Sequence, residues 1–207
     1  MCLKSKNIIQ NLQSQDKTFS LIVKQIGYIN LEKKDLNFEE LIKIIINQQL
    51  SNHVSSIIFQ RLRDKINKSE LISPLSIIDF DNKKLRDLGI SHSKISFMKE
   101  TAKYFMDYPY IIKKWETMND EDAKIKIQEL KGFGPWSANI ILLFYMGRNN
   151  VFPYNDSTLQ KAYFKIYGER LSSNLSQINW ARPYRSIVAR YLWKWVDNGA
   201  IKILLFI

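Results

Sequence analysis

Residues 130–138 read Leu130-Lys131-Gly132-Phe133-Gly134-Pro135-Trp136-Ser137-Ala138, and this stretch decides the fold. Its two glycines lie two positions apart between segments with helical hydrophobic spacing. A backbone without Cβ atoms can turn tightly there and approach another molecule closely. The amides after such a turn begin a helix and carry a partial positive charge, which suits a phosphate oxygen. The two glycines alone are equally consistent with a phosphate-binding helical hairpin and with a plain turn between two helices.

The segments on both sides of this hairpin stretch have the apolar spacing of amphipathic helices. Asn37 can cap a helix with Glu40 at its third position, as in a capping box, and Ser51 can cap the next helix. Further helical patterns occur at 19–26, 81–88, 91–105, 157–167 and 183–196. Only 7 Gly and 5 Pro occur among 207 residues, too few for a β fold with many turns. We therefore predict an all-α protein.

The chain is strongly basic. It contains 31 Lys and Arg against 20 Asp and Glu, a formal net charge of +11, which favours a polyanionic partner. The charge is spread along the sequence rather than clustered. The excess of +11 nevertheless adds a sequence-independent, salt-sensitive attraction to nucleic acid. The hydrophobic share of 45% and the charged share of 25% are those of an ordinary globular protein.

Several classes of chemistry are excluded by what the sequence lacks. The single Cys2 cannot form an internal disulfide, an iron–sulfur cluster or a thiolate zinc site. With only His53 and His92, a histidine-rich metal centre or a Ser-His-Asp triad has very few residues to draw on. No apolar run reaches the ~20 residues of a membrane span, and no signal-peptide pattern follows the N-terminus. We expect a cytoplasmic, nucleoid-associated protein, in a reducing compartment, that does not associate with membranes.

The hairpin stretch and a second motif together resemble the helix-hairpin-helix superfamily of DNA repair glycosylases. The second motif is Val151-Phe152-Pro153-Tyr154-Asn155-Asp156, which looks like that superfamily's Pro-rich loop ending in an aspartate. With supporting segments at 46–51, 85–102 and 182–193, the resemblance extends from Asp16 to Trp195 and is to the alkylation-repair branch, DNA-3-methyladenine glycosylase II. It implies one glycosylase unit over 1–207, with a DNA-binding cleft between two helical subdomains. These are 38–127, and 16–37 plus 128–207 with the hairpin and the aspartate.

The resemblance implies that Asp156 is the catalytic residue. Breaking a base–sugar bond gives the sugar oxocarbenium character, which an ionised carboxylate can stabilise while it orients or deprotonates water. An alkylated purine is already a cation and leaves as a neutral base, so one acid can suffice. Asp156 is also suited to cap the helix that begins at Ser157, and both roles can hold together. Trp136 stands where strand-cutting relatives place a Schiff-base lysine, which implies a monofunctional enzyme that leaves an abasic site.

The resemblance places Trp136 and Trp193, and more weakly Tyr28, in a pocket for the base that leaves the stack. A cationic purine that lies over an aromatic ring gains a cation–π interaction of ~0.5–2 kcal/mol. A neutral base does not gain this interaction. Core packing is the alternative for each tryptophan. The chain departs from some relatives at Ile140 and Lys194, where they carry tyrosines, so the preferred alkylated base stays open.

DNA contacts are expected on two turns. Gln49 matches the intercalating position of the superfamily, with a solvated helix end as the alternative. The expected DNA-binding residues are Gln48, Gln49, Ser51, Gly132, Gly134, Pro135, Trp136 and Ser137. No cofactor is required, but main-chain oxygens of Gln128, Leu130 and Phe133 can hold Na⁺ or K⁺ at the hairpin. The implied partner is double-stranded DNA containing alkylated bases, bound by a monomer.

Two other functions stay open. A non-catalytic module for damaged DNA would use the hairpin and the aromatic residues but not Asp156. A glycosylase for another lesion, such as uracil or oxidised guanine, would use the same fold, although the missing hairpin lysine argues against oxidised guanine.

Overall fold

A computed structural model of the chain describes residues 3–66 and 71–199, and side chains from Ser5 onward in those ranges. Cys2 lies outside the described residues. The described ranges contain twelve α-helices, one π-helical turn and one 3₁₀ segment, and they contain no β-strand. This confirms the predicted all-α class. None of the helices within these ranges has the length and apolar character needed to span a bilayer.

The helices are α1 (Leu3–Gln15), α2 (Lys17–Ile26), α3 (Phe38–Asn47), α4 (Asn52–Ile66), α5 (Pro74–Asp79), α6 (Asn82–Asp87), α7 (His92–Asp107), α8 (Ile111–Thr117), α9 (Asp120–Gln128), α10 (Pro135–Ile140), α11 (Ser157–Tyr167) and α12 (Arg185–Asp197). The π-helical turn is Ile141–Tyr145 and the 3₁₀ segment is Ser176–Ala181.

One compact unit comprises Asp35–Ala138 and is built around α7. α7 packs against α3 and α5, and its apolar stripe, which includes Ile95, Met98 and Ala102, is buried as its spacing predicted. α3 is the most enclosed helix of this unit, because seven of its ten residues are buried. Its N-terminal cap is Asn37, whose side chain accepts a hydrogen bond from the Glu40 amide, as predicted.

The other unit comprises Met1–Lys34 and Asn139–Ile207, and α12 lies at its centre against α2 and α11. The rings of Tyr191 on α12 and Phe19 on α2 meet edge to face, with centroids 5.3 Å apart. α1 belongs to this unit and was absent from the sequence prediction. Its buried Ile9 and Leu12 have helical spacing, but two positions are too few to identify a helix.

The boundary between the units lies after Ala138, whereas the resemblance implies that the whole of 128–207 belongs with Asp156. The hairpin turn, residues 131–134, belongs to the unit Asp35–Ala138 because the residues that it contacts lie in that unit. Lys131 forms an ion pair with Glu100 at 2.6 Å, and Gly132 packs on the Phe97 ring.

Two helix assignments also differ in detail. The last helix begins at Arg185 rather than at 183. The helix after the hairpin turn is α-helical only as far as Ile140 and then widens into the π-helical turn. There the Met146 amide donates to the Ile141 carbonyl five residues earlier, at 3.0 Å.

Candidate functional site

Asp156 ends the loop that enters α11 and caps that helix. The loop turns tightly at its end, where the Asp156 amide donates to the Pro153 carbonyl at 2.9 Å. The Oδ1 atom of Asp156 accepts a hydrogen bond from the Leu159 amide at 2.8 Å, which is the capping role anticipated from the sequence. Only 9% of Asp156 is exposed. The helix start therefore holds the buried carboxylate in one place.

Trp193 is brought to this carboxylate from α12. Its indole Nε1 donates to the same Oδ1 atom of Asp156 at 3.3 Å. Two N–H donors on one oxygen fix the position of the carboxylate more firmly than a helix cap alone. Trp193 is half-buried rather than a core residue. This hydrogen bond connects the residue predicted for the base pocket to the residue predicted to be catalytic.

Phe144, on the π-helical turn, is a neighbour of this pair that sequence reasoning missed. Its ring lies 5.5 Å from the Trp193 ring between centroids, tilted by 31°. The guanidinium carbon of Arg190 is 4.8 Å from the Phe144 centroid, and Arg190 Nη2 donates to the Leu143 carbonyl at 3.1 Å. Burial lowers the pKa of Arg190. Nothing in the sequence marks this arrangement, because a π-helical turn has no composition of its own.

The other two aromatic residues predicted for the base pocket lie elsewhere along the chain. Trp136 is half-buried on α10, in the unit Asp35–Ala138. Tyr28 is 49% exposed, with the Lys6 ammonium 5.8 Å from its ring centroid. Their contact with a base stays a prediction. Ile140 is half-buried and Lys194 is exposed.

The two glycines of the hairpin turn are needed for different reasons. Gly132 has φ +89°, and a Cβ there would come within 2.4 Å of the Phe97 ring, so the turn itself requires glycine. A Cβ on Gly134 would meet nothing within 4 Å. Gly134 and Pro135 are exposed. The open side of Gly134 is therefore available to a second molecule, whereas Gly132 serves the interior.

The turn of residues 48–51 follows α3 and contacts the hairpin directly. Gln48 Nε2 donates to the Gly132 carbonyl at 2.8 Å and to the Ser137 hydroxyl at 3.1 Å. Ser137 is only 2% exposed. The side chains of Gln48 and Ser137, both predicted to bind DNA, are thus bonded to each other within the protein. By contrast, Gln49 and Ser51 are exposed, and the Ser51 hydroxyl accepts from the Val54 amide at 3.3 Å, as expected of a cap.

The ligands predicted for a cation at the hairpin are main-chain oxygens. In the ranges 3–66 and 71–199, no three or more His, Cys, Asp and Glu residues are grouped so that they could hold a metal ion. The Leu130 carbonyl accepts from the Phe133 amide at 2.9 Å, which leaves it one lone pair for a ligand. A monovalent cation suits neutral carbonyl oxygens such as those of Gln128, Leu130 and Phe133.

Residues 42–196 match the sequence model of the HhH-GPD superfamily of base excision DNA repair proteins. DNA-3-methyladenine glycosylase 1 of Schizosaccharomyces pombe is 26% identical over 193 residues, an alignment that covers 89% of this chain and 84% of that protein.

Two solved structures have the same fold. A 3-methyladenine DNA glycosylase of Schizosaccharomyces pombe in complex with abasic DNA superposes with a TM-score of 0.80 at 24% identity, covering 91% of this chain and 95% of that one. A DNA-3-methyladenine glycosidase of Bacillus halodurans superposes with a TM-score of 0.75 at 25% identity, covering 93% of this chain and 90% of that one.

Proposed function

Since the chain belongs to the HhH-GPD superfamily of base excision DNA repair proteins, we propose that it is a monofunctional DNA glycosylase that releases alkylated purines of the 3-methyladenine type. The observation that carries this proposal is the buried Asp156 carboxylate, whose Oδ1 is held by the Leu159 amide and the Trp193 indole. The names of the relatives at 26% and 25% identity support the same substrate class.

In the proposed reaction, the bond between the anomeric carbon and the purine nitrogen breaks, and the base takes the electron pair. An alkylated purine thereby changes from a cation to a neutral leaving group. The sugar takes the positive charge, and the Asp156 carboxylate stabilises it at close range. A water molecule adds to the anomeric carbon and gives up a proton, which the Asp156 carboxylate accepts and passes to solvent, and the products are the free base and an abasic site.

Trp193 has two parts in this proposal. Its indole N–H positions the carboxylate, and its ring offers an electron-rich surface beside the reacting centre. A cationic base gains about 0.5–2 kcal/mol on such a surface, and a normal neutral base does not. This difference favours alkylated over undamaged purines.

Cleavage of the strand is excluded from the proposal because the hairpin helix has no suitable amine. Neither α10 nor the π-helical turn contains a lysine, and Trp136 occupies the position where a Schiff-base lysine would stand. Lys131 in the preceding turn is paired with Glu100.

We assign DNA binding to the exposed backbone at Gly134 and Pro135 and to the exposed Gln49 and Ser51. The α10 amides suit a phosphate, and a Na⁺ or K⁺ ion on the carbonyls of residues 128, 130 and 133 would add positive charge beside it. The formal charge of +11 supports salt-sensitive contacts through which the protein scans duplex DNA, and we propose that it does so as a monomer.

The test is release of bases from duplex DNA treated with a methylating agent, with the released bases identified by chromatography. We expect 3-methyladenine among the products, intact strands, and no covalent adduct trapped by borohydride. Release of uracil from a uracil-containing duplex, without release of methylated bases, would assign another lesion. Tight binding of methylated DNA without release of any base would indicate a damage-binding module.

A further inference from the structure

Lys94 on α7 holds the end of α3. Its ammonium Nζ donates to the carbonyl of Ile46 and to the carbonyl of Gln48, each at 2.8 Å. These oxygens belong to the last turn of α3 and to the residue after it, where carbonyls have no partner within a helix. A lysine that bonds both closes the helix end and fixes the peptide plane that leads into Gln49.

Gln49 needs such support because of its backbone conformation. It has φ +56°, in the left-handed region that residues other than glycine rarely adopt, and its side chain is exposed. The residue before it is restrained at two points, since Lys94 bonds the Gln48 carbonyl while the Gln48 side chain bonds the Gly132 carbonyl and the Ser137 hydroxyl. Gln49 is thus attached to a residue that cannot move independently of the hairpin turn.

We propose that Lys94 and Gln48 are positioning residues that hold Gln49 at a fixed place relative to the hairpin turn. The side chain that fills the gap left by the damaged base and the backbone that binds phosphate then act as one rigid surface. This inference rests on the proposed function, and it names two residues that contact neither the base nor the reacting sugar. It reverses the expected role of Gln48, whose amide is used within the protein.

Rigidity matters here because base flipping already requires unstacking of the duplex. If the turn of residues 48–51 were ordered only on contact with DNA, the entropy lost by that turn would be added to the same step. A turn held in advance removes this cost. Removal of the hydrogen bonds that fix this turn should therefore destabilise the complex with the flipped base more than it weakens the first encounter with DNA.

α7 supplies a matched control. Lys99, on the same helix, makes the same kind of contact with the end of α5. Its ammonium donates to the carbonyl of Ile78 in the last turn of α5 at 2.7 Å and to the carbonyl of Phe80, which follows α5, at 2.6 Å. Burial lowers the pKa of both lysines. Lys94→Met and Lys99→Met each remove two hydrogen bonds to carbonyls at a helix end, but only Lys94 is connected to Gln49.

The first experiment measures insertion without base release. A duplex carries a tetrahydrofuran abasic-site analogue and, beside it, 2-aminopurine, whose fluorescence rises when it is unstacked. At saturating protein, wild type and Lys99→Met should give the same rise, while Lys94→Met should give a smaller one, close to that of Gln49→Ala. Equal signals for Lys94→Met and wild type would overturn the proposal.

The second experiment measures single-turnover release of a methylated base from two duplexes. In the first duplex the lesion is fully paired, and Lys94→Met should be slower than wild type by about tenfold. In the second the lesion lies opposite an abasic site and is already poorly stacked, and the difference should shrink to about twofold. Equal loss on both duplexes, or the same loss for Lys99→Met, would show a merely structural role.

Gln48→Met should reproduce the pattern of Lys94→Met, because it keeps the side-chain length but removes the donor, and it serves as the test if Lys94→Met does not fold. Failure of the proposed function is recognised separately. If wild type releases no base while the fluorescence still separates Lys94→Met from Lys99→Met, the glycosylase assignment falls and the positioning role stands.

Discussion

Asp156 has two roles that one substitution can separate. Asparagine caps helices as well as aspartate does, so Asp156→Asn should still accept the Leu159 amide and keep α11 in place. It removes the charge that would stabilise the sugar cation, and we expect release of alkylated bases to fall by at least about 10²-fold. Single-turnover release on methylated duplex measures the effect. Undiminished release, in a variant whose thermal unfolding matches wild type, would make Asp156 a helix cap and nothing more.

The hydrogen bond and the aromatic face of Trp193 can also be separated by substitution. Trp193→Phe keeps an aromatic ring beside Phe144 but removes the indole donor to Asp156, so we expect slower release by about tenfold with little loss of affinity for methylated duplex. Trp193→Leu also removes the aromatic face and should lose affinity as well. Trp180→Phe, on a tryptophan whose ring packs on Phe19, is the control for the loss of an indole. Identical kinetics for Trp193→Phe and Trp180→Phe would argue against the hydrogen bond.

These residues also show how far the sequence reaches. Asp156 and Trp193 could be placed in one predicted site because each lies in a segment that resembles the superfamily, although Asp156 caps α11 and Trp193 lies on α12. Phe144 and Arg190 could not, because their meeting depends on the π-helical turn and on the packing of α12 in three dimensions. The internal partner of Gln48 could not be predicted either, because a glutamine at a helix end gives no sign of a partner 84 residues away.

Among the elements, those with local signals were predicted best. The cap at Asn37, the cap at Ser51 and the apolar stripe of α7 each depend on residues within one or two turns, so sequence spacing contains the information. In the π-helical turn, backbone amides bond carbonyls five residues earlier instead of four. Tertiary packing decides between these two patterns, so local sequence does not predict the turn. The division into units depends on contacts between distant residues, and for this reason the structure groups the hairpin turn differently from the prediction.

The hairpin turn yields a prediction in which its two glycines differ. Gly132→Ala should lower the free energy of unfolding by about 1–3 kcal/mol, since φ is +89° and the Phe97 ring stands in the way. Gly134→Ala should unfold at the same denaturant concentration as wild type but bind undamaged and methylated duplexes more weakly, because its methyl group obstructs the approach of a phosphate.

Urea titrations and duplex affinities at several salt concentrations test this pair. Equal duplex affinity of Gly134→Ala and wild type would remove the hairpin as the DNA anchor. Equal stability of Gly132→Ala and wild type would mean that Phe97 moves aside without cost.

At the scale of the whole molecule, two tyrosines on α11 should make the free energy of unfolding depend on pH. Burial raises the pKa of Tyr163 to about 12, and burial together with the hydrogen bond that its hydroxyl donates to Asp16 raises the pKa of Tyr167. The unfolded chain ionises both near pH ~10. Between these pH values the unfolded state binds fewer protons than the folded state, so the free energy of unfolding falls as pH rises.

We therefore expect stability to be retained below pH ~10 and lost between pH ~10 and ~12. Tyr163→Phe should make the loss with pH shallower, while Tyr110→Phe, on a ring that is 73% exposed, should leave the slope unchanged. Urea midpoints across this pH range give the comparison. A slope that is the same for Tyr163→Phe and wild type would exclude Tyr163 as a cause of alkaline unfolding.

Helix α3 is anchored at both of its ends, and this has a mechanical consequence. Near its start, the Glu39 carboxylate accepts from the Ile72 amide at 2.8 Å and lies 3.8 Å from Arg63, and at its far end Lys94 holds the last carbonyls. In the proposed binding mode, a base stack that resists the entry of Gln49 pushes back on that far end. We expect a helix of about 15 Å that is braced at both ends and enclosed along its sides to transmit such a load to the hydrophobic core.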